Sequence, residues 1–228
     1  MVKRDVSKKN LIIAVILTIL LFSMGIMIGL LVSEKRIESL EQTAQDQRLN
    51  YESLQLQFLM INDANKEKSC PILIEALEEN IKNLILSGEK IEKFSNDLNT
   101  NPAGFDILKR DYTLAQLKYW FLVKKSRNVC GKDVVPIIYF YSNAEDCSYC
   151  SAQSRILTYL KGKYEERIMV FSFDASFKKE ALIPILKRVY SVTEYPSLVI
   201  EDKTYSGLVE TSVLEDIICS KLENSEMC

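Results

Sequence analysis

The stretch from Val135 to Cys150 constrains this chain more than any other: Val-Pro-Ile-Ile-Tyr-Phe-Tyr-Ser-Asn-Ala-Glu-Asp-Cys-Ser-Tyr-Cys. Its first part, Val134 to Tyr141, is apolar and rich in β-branched and aromatic residues, which predicts a buried strand. Ser142 to Asp146 reads as a short polar loop, and a helical pattern follows Cys147-Ser148-Tyr149-Cys150. A helix N-terminus carries partial positive charge and free N–H groups. A cysteine held there has a stabilised thiolate and becomes a usable nucleophile near neutral pH.

Composition narrows the chemistry. The 228 residues contain no histidine, which removes Ser-His-Asp and Cys-His catalysis, imidazole acid–base work and histidine metal ligands. A net charge of −2 gives no reason to expect nucleic acid as a partner. Six cysteines, Cys70, Cys130, Cys147, Cys150, Cys219 and Cys228, fit three pairs if the compartment is oxidising.

Residues 1–10 form a short basic tail, and Leu11 to Val32 is a run of 22 residues without a charge. At about 1.5 Å per residue such a helix crosses a hydrocarbon core of roughly 30 Å. The run is longer than the ~7–15 apolar residues of a cleaved signal peptide, and no Ala-x-Ala site follows it. Lys3, Arg4, Lys8 and Lys9 precede the run, whereas only Lys35 and Arg36 follow closely. The expectation is a single-pass cell-membrane protein with a cytoplasmic N-terminus and an extracytoplasmic remainder. Gly25, Gly29 and Ser33 share one face of the span, a spacing that lets two membrane helices approach and makes a homodimer possible.

Beyond the membrane, residues 33–66 predict one long heptad helix. Ile37, Leu40, Ala44, Gln47, Tyr51, Leu54, Phe58 and Ile61 follow one another in alternating steps of three and four. That seam suits a coiled coil between chains or packing within one chain. Cys70-Pro71 is expected to break the rod and start a second helix, since proline is welcome at a helix start. Ile74, Leu77, Ile81, Leu84, Gly88, Ile91 and Leu98 mark that second helix, weaker near Gly88. Residues 99–104 read as a turn. Phe105, Leu108, Tyr112, Ala115, Tyr119 and Leu122 then mark a third helix, whose aromatic stripe reads as core. Residues 70–130 thus predict a helical hairpin or bundle, with Cys70 and Cys130 at its two ends. A bridge between them would stabilise by roughly 4 kcal/mol on the chain-entropy estimate. A second redox pair that exchanges electrons with Cys147 and Cys150 is the alternative.

Residues 134–228 change texture. Strand 135–142, helix 148–161, strand 167–173, helix 178–191, strand 197–201, strand 203–208 and helix 211–223 give the order β-α-β-α-β-β-α. The β-α-β units imply parallel strands with right-handed crossovers, and Asp202-Lys203 separates the strands of a hairpin.

The strand before Cys147-Ser148-Tyr149-Cys150, the motif at a helix start, Tyr195-Pro196 ahead of the strand from Ser197, and the order of elements make residues 134–223 resemble the thioredoxin-like superfamily. The resemblance covers about 40% of the chain and implies a thiol–disulfide oxidoreductase, which the uncharged run and its basic flank would make membrane-anchored and extracytoplasmic. It implies that Cys147 is the nucleophile, exposed at the helix tip, and that Cys150, shielded one turn inside, resolves the mixed disulfide. It makes Pro196 a cis-proline, with Tyr195 pairing edge to edge with an extended substrate, and Ser148 and Tyr149 further parts of the substrate surface. No organic cofactor or metal is implied, because the dithiol itself carries two electrons. A zinc half-site lacks a second ligand pair, and a purely structural Cys147–Cys150 bridge is the remaining alternative. The chain departs from the family in its motif, which in thioredoxins is Trp-Cys-Gly-Pro-Cys, and in a loop about two residues longer. Ile137, Ile138 and Tyr139 stand where the family keeps a buried acid. Glu145 and Asp146 put negative charge beside Cys147 and oppose the helix end, so the direction of electron flow stays open. Cys219 and Cys228 are candidates for a local bridge that pins the tail; a free Cys228 is the alternative.

The expected whole is an α/β thioredoxin-like C-terminal domain preceded by one transmembrane helix and an all-α bundle or coiled-coil region. Its expected substrates are cysteines of exported proteins, and an unidentified membrane redox partner restores the pair. The alternative is a membrane-tethered scaffold in which the heptad helices carry the function and the thioredoxin-like domain is catalytically silent.

Overall fold

The computed structural model describes residues 12, 13, 15–27, 66–95, 102–143, 145–222 and 228. The chain divides into two compact units, Met1–Leu59 and Met60–Cys228. In the first, residues 15–27 are helical (α1), and apolar side chains such as Leu17 and Phe22 are exposed. Among the described residues no helix is long and apolar enough to cross a membrane. The ends of the expected span and the heptad positions from Ile37 to Ile61 lie outside the described residues.

The second unit opens with two long helices, α2 (Lys66–Ser95) and α3 (Pro102–Cys130), followed by β1 (Val135–Tyr141), α4 (Cys150–Tyr164), β2 (Ile168–Asp174), α5 (Leu182–Val189), β3 (Ser197–Ile200), β4 (Lys203–Ser206) and α6 (Thr211–Cys219). From Val135 onward this is the expected β-α-β-α-β-β-α order. The sheet runs β2-β1-β3-β4, with β1 parallel to β2 and antiparallel to β3, and β3 antiparallel to β4.

β1 is buried on both faces, which accounts for its lack of polar alternation. Val135, Ile137 and Tyr139 face α4 and α6, packing with Leu157, Leu160, Leu214 and Ile218. Ile138 and Phe140 face the other way, into a core shared with Leu117, Trp120 and Val123 of α3 and Ile183 and Leu186 of α5. The helical hairpin is therefore one wall of the α/β core. Tyr119 and Trp120 of the aromatic stripe are buried, while Phe121 is exposed. Within the hairpin, a Cβ on Gly88 would stand 3.3 Å from the Tyr112 ring, so the glycine permits a close crossing where the sequence pattern looked weak. Cys70 and Cys130 are joined by a disulfide, 5.5 Å apart at Cα.

Several boundaries differ from the sequence-based expectation: α5 is shorter than 178–191, the β3–β4 turn is Glu201-Asp202 with Lys203 already in β4, and three others have a visible cause. Pro71 lies inside α2, which starts at Lys66. The missing N–H costs one helical hydrogen bond, offset by the burial of Leu73 and Ala76 in the turns that follow. α3 begins at Pro102, so residues 102–104 of the expected turn are already helical. β4 ends at Ser206 because Gly207 adopts φ +77° and donates its N–H to Pro196 O at 2.8 Å.

β2 is an edge strand, and an uncovered edge invites pairing with another chain. Gln116 of α3 covers it. Its amide nitrogen donates to Ser172 O (3.3 Å) and its carbonyl accepts the Ser172 N–H (3.0 Å), as a neighbouring strand would. Ion pairs hold both ends of α3: Lys109 to Asp174 and Arg110 to the buried Glu180 near its start, and Lys124 to Asp202 and Arg127 to Glu201 near its end. The last two acids form the β3–β4 turn, where both have positive φ. A two-residue hairpin turn of this hand is normally filled by Asn or Gly.

Two outcomes follow from α3. Gln116→Leu leaves both Ser172 backbone groups unpaired and should cost about 1–3 kcal/mol, read as a fall in thermal midpoint. Lys118 has its ammonium pKa lowered to about 8 by burial, against a smaller opposing effect of Glu79. A lysine whose folded pKa lies below its unfolded one destabilises the fold where it is charged. That penalty is full below about pH 8 and fades towards the unfolded lysine pKa of roughly 10.4. Lys118→Met should therefore raise the midpoint at pH 7 and lose that gain at pH 10 to 11.

Candidate functional site

The register of the central strands assembles the site. Phe140 of β1 stands opposite Ser197 of β3, so the loop that leaves β1 towards Cys147 and the residues entering β3 meet at one end of the sheet. Asn143 Oδ1 accepts the Asp146 N–H at 2.9 Å and closes a local turn in that loop. Glu145 and Asp146 are exposed beside Cys147.

Cys147 and Cys150 are joined in a disulfide with Cα atoms 5.5 Å apart. The helix starts later than the pattern predicts. Cys147, Ser148 and Tyr149 precede α4, Tyr149 is its N-cap residue, and Cys150 is its first member. No side chain caps this end, and the Gln153 N–H to Tyr149 O bond (3.0 Å) begins the ladder. The N–H groups ahead of it are available near the sulfur pair.

The expected asymmetry of exposure is not what the structure has. Cys147 is 4% exposed and Cys150 9%, so the first cysteine is no more open than the second. Bridging accounts for this: Cys147, ahead of the helix, is drawn in against its first residue. Ser148 and Tyr149 lie outward, and Tyr149 is 60% exposed.

The Tyr195–Pro196 peptide bond is cis. Tyr195 is partly buried against the core shared with α3, and Lys187 Nζ lies 5.0 Å from its ring centroid. Pro196 O is occupied by the Gly207 N–H, which ties the residues after β4 to the cis turn. Cys219 and Cys228 are also bridged, with Tyr164 Oη 3.4 Å from Cys219 Sγ. The structure thus brings Cys147, Cys150, Tyr195 and Pro196 to one end of the sheet. Cys70–Cys130 and Cys219–Cys228 are tied to helix ends instead.

Two residues that sequence reasoning left out support the dithiol from below. Tyr139, buried in β1, donates its hydroxyl to Cys150 O at 2.7 Å. Burial pushes its pKa up to about 12, so it is a neutral donor throughout the physiological range. Gln153, 0% exposed, accepts the Val209 N–H on its Oε1 at 2.8 Å. The available signal was periodicity: Cys150, Gln153, Leu157, Leu160 and Tyr164 are the buried face of α4, and Gln153 is its one amide.

No family model matches the chain, and no curated protein matches it. Solved structures do have thioredoxin-fold similarity to about 40% of it. One, described as a malarial protein, is 22% identical with a TM-score of 0.33, over 39% of this chain and 98% of that one. Thioredoxin-2, a component of the malaria parasite protein secretion machinery, is 26% identical with a TM-score of 0.33, over 39% and 84%. Chloroplastic thioredoxin z is 17% identical with a TM-score of 0.34, over 43% and 87%. The thioredoxin-like α/β domain following N-terminal helices rests on its own strand order, the cysteine pair at the start of α4 and the cis turn before β3.

Tyr139→Phe tests the support of the dithiol turn. Losing one buried hydrogen bond to the Cys150 carbonyl should cost about 1 kcal/mol or somewhat more, seen as a lower thermal midpoint of the oxidised protein.

Proposed function

We propose that this chain is a membrane-anchored thiol–disulfide oxidoreductase that acts on cysteines of exported proteins through Cys147 and Cys150. The observation that carries the reading is the closed Cys147–Cys150 bridge at the start of α4, at the same end of the sheet as the cis Tyr195–Pro196 turn. A dithiol at a helix N-terminus favours thiolate. The resemblance assigns the backbone of Tyr195, ahead of the cis proline, to pairing with an extended substrate.

In the reducing direction, the Cys147 thiolate attacks one sulfur of a substrate disulfide. The substrate S–S bond breaks, a mixed disulfide forms, and the departing sulfur leaves as thiolate and takes up a proton. Cys150 then gives up its proton and attacks Cys147, forming the bridge and releasing the second substrate sulfur. Two electrons pass from the dithiol to the substrate, which ends with two thiols; the reverse sequence donates the bridge. Tyr195 and Pro196, with Ser148 and Tyr149, form the surface that receives the substrate chain. A membrane redox partner returns the pair to its starting state.

Anchoring rests on the uncharged run from Leu11 to Val32, and orientation on the basic residues Lys3, Arg4, Lys8 and Lys9 before it. The extracytoplasmic placement agrees with the even number of cysteines.

A second reading has support in the burial of Cys147 and Cys150: a membrane-tethered scaffold whose bridge stays closed. One experiment separates the two. Cys150→Ala should accumulate mixed disulfides through Cys147 with exported proteins, visible as reductant-sensitive adducts, and Cys147→Ala should give none. Absence of adducts in Cys150→Ala, with the wild-type bridge resistant to excess dithiothreitol, favours the scaffold.

A further inference from the structure

We infer that Gln153 is a positioning residue of the exchange reaction, and that its side-chain amide N–H is the donor that receives the sulfur of Cys150 when the bridge opens. The inference rests on the reading of Cys147 and Cys150 as an exchanging pair.

Gln153 is buried one turn after Cys150 on the same face of α4. Side chains three apart on a helix are neighbours, with Cβ atoms about 5–6 Å apart, and lean towards the helix N-terminus. Gln153 and Cys150 thus share the buried face of α4 at neighbouring positions. The orientation of the Gln153 amide is fixed by the partner: Val209 offers an N–H, so the atom facing it is the carbonyl oxygen. The other end of the amide, Nε2, is buried and has no hydrogen-bond partner among the described residues. A buried donor without an acceptor costs roughly 1–3 kcal/mol, and native interiors rarely keep one without a purpose.

The state of the sulfur supplies a purpose. In the bridge, Cys150 Sγ is bonded to Cys147 Sγ. Reduction breaks that bond, adds two electrons and two protons across the pair, and leaves Cys150 with a thiol that is converted to thiolate for the resolving attack. A thiolate is a charged acceptor, and a hydrogen bond to the charged form favours it. The neighbouring polar group on β1 cannot serve, because the Tyr139 hydroxyl is already committed to Cys150 O. The donor is thus idle in the disulfide and engaged in the dithiol, which shifts the pair towards its reduced form. Through Val209, and through Gly207 bound to Pro196 O, the same side chain links the dithiol helix to the cis turn.

The test is the redox equilibrium of the full chain in glutathione buffers at pH 7, with the Cys147–Cys150 state read by alkylation and mass spectrometry. Gln153→Leu and Gln153→Met remove the donor, and with it the acceptor of the Val209 N–H, while keeping a side chain of similar size; Gln153→Glu removes the amide donor and keeps that acceptor. Each should move the equilibrium about tenfold towards the disulfide, equal to about 30 mV for a two-electron couple. In the wild type, the Gln153 side-chain amide proton resonances should shift when the pair is reduced, a readout that needs no variant. Equilibria unchanged in the folded variant, or amide resonances unmoved on reduction, would overturn the inference while leaving the oxidoreductase reading intact. A wild-type bridge that excess dithiothreitol cannot open would remove that reading itself.

Discussion

Everything at the site depends on the register of β1 with its two neighbours. β1 pairs in parallel with β2 and antiparallel with β3, placing Val135 opposite Ile168 on one side and Phe140 opposite Ser197 on the other. A shift of one residue would exchange the faces of Ile138 and Tyr139, sending a phenol into the core against α3 and an isoleucine beneath the dithiol. The parallel pairing has a second consequence. It needs a crossover helix between β1 and β2, and α4 is that helix, so the residues that open the crossover are the cysteines. The antiparallel pairing brings Pro196, immediately before β3, back to the same end.

The other face of the sheet explains why the N-terminal helices belong to the same compact unit. α4 and α6 cover one face, and α5 alone is too short, at eight residues, to cover the other. α3 completes it, contributing Leu117, Tyr119, Trp120 and Val123 to the core. The Gln116 amide serves as a surrogate strand for the edge of β2, and four acid–base pairs hold the helix to the loops at both ends of the sheet. The hairpin of α2 and α3 is thus part of the domain's hydrophobic layer. Its disulfide, Cys70–Cys130, ties the start of α2 to the end of α3, just ahead of β1.

Elements whose physics is local could be read from the sequence. β-branched runs marked β1 to β3, and two motifs, Cys-x-x-Cys and Tyr-Pro before a strand, pointed to the site. The start of α4 was misplaced by two residues because Ser148 and Tyr149 have no property that forbids helix; the bridge to Cys147 draws this stretch into a turn instead. Pro71 read as a boundary because proline usually is one, whereas tertiary burial of the following turn carries α2 past it. Gln116 was not legible, and Gln153 only as the amide on an otherwise apolar face of α4. A lone amide on a helix reads as solvent-facing until the edge of β2 or the loop after β4 is known to lie against it.

The pair's surroundings also bear on how its chemistry can proceed. Beneath the pair stands Tyr139, whose pKa burial pushes up to about 12. A phenol held neutral in this way accepts no proton at neutral pH, so Tyr139 acts on the turn as a hydrogen-bond donor to Cys150 O and not as a base. Both sulfurs are closed off in the bridged state, yet Ser148 and Tyr149 between them are exposed. Cys147 stands ahead of α4, outside its hydrogen-bond ladder, whereas Cys150 is held within it and by Tyr139. The backbone thus treats the two cysteines unequally, holding the second in a helix and by a side-chain hydrogen bond and the first in the turn that leads to it.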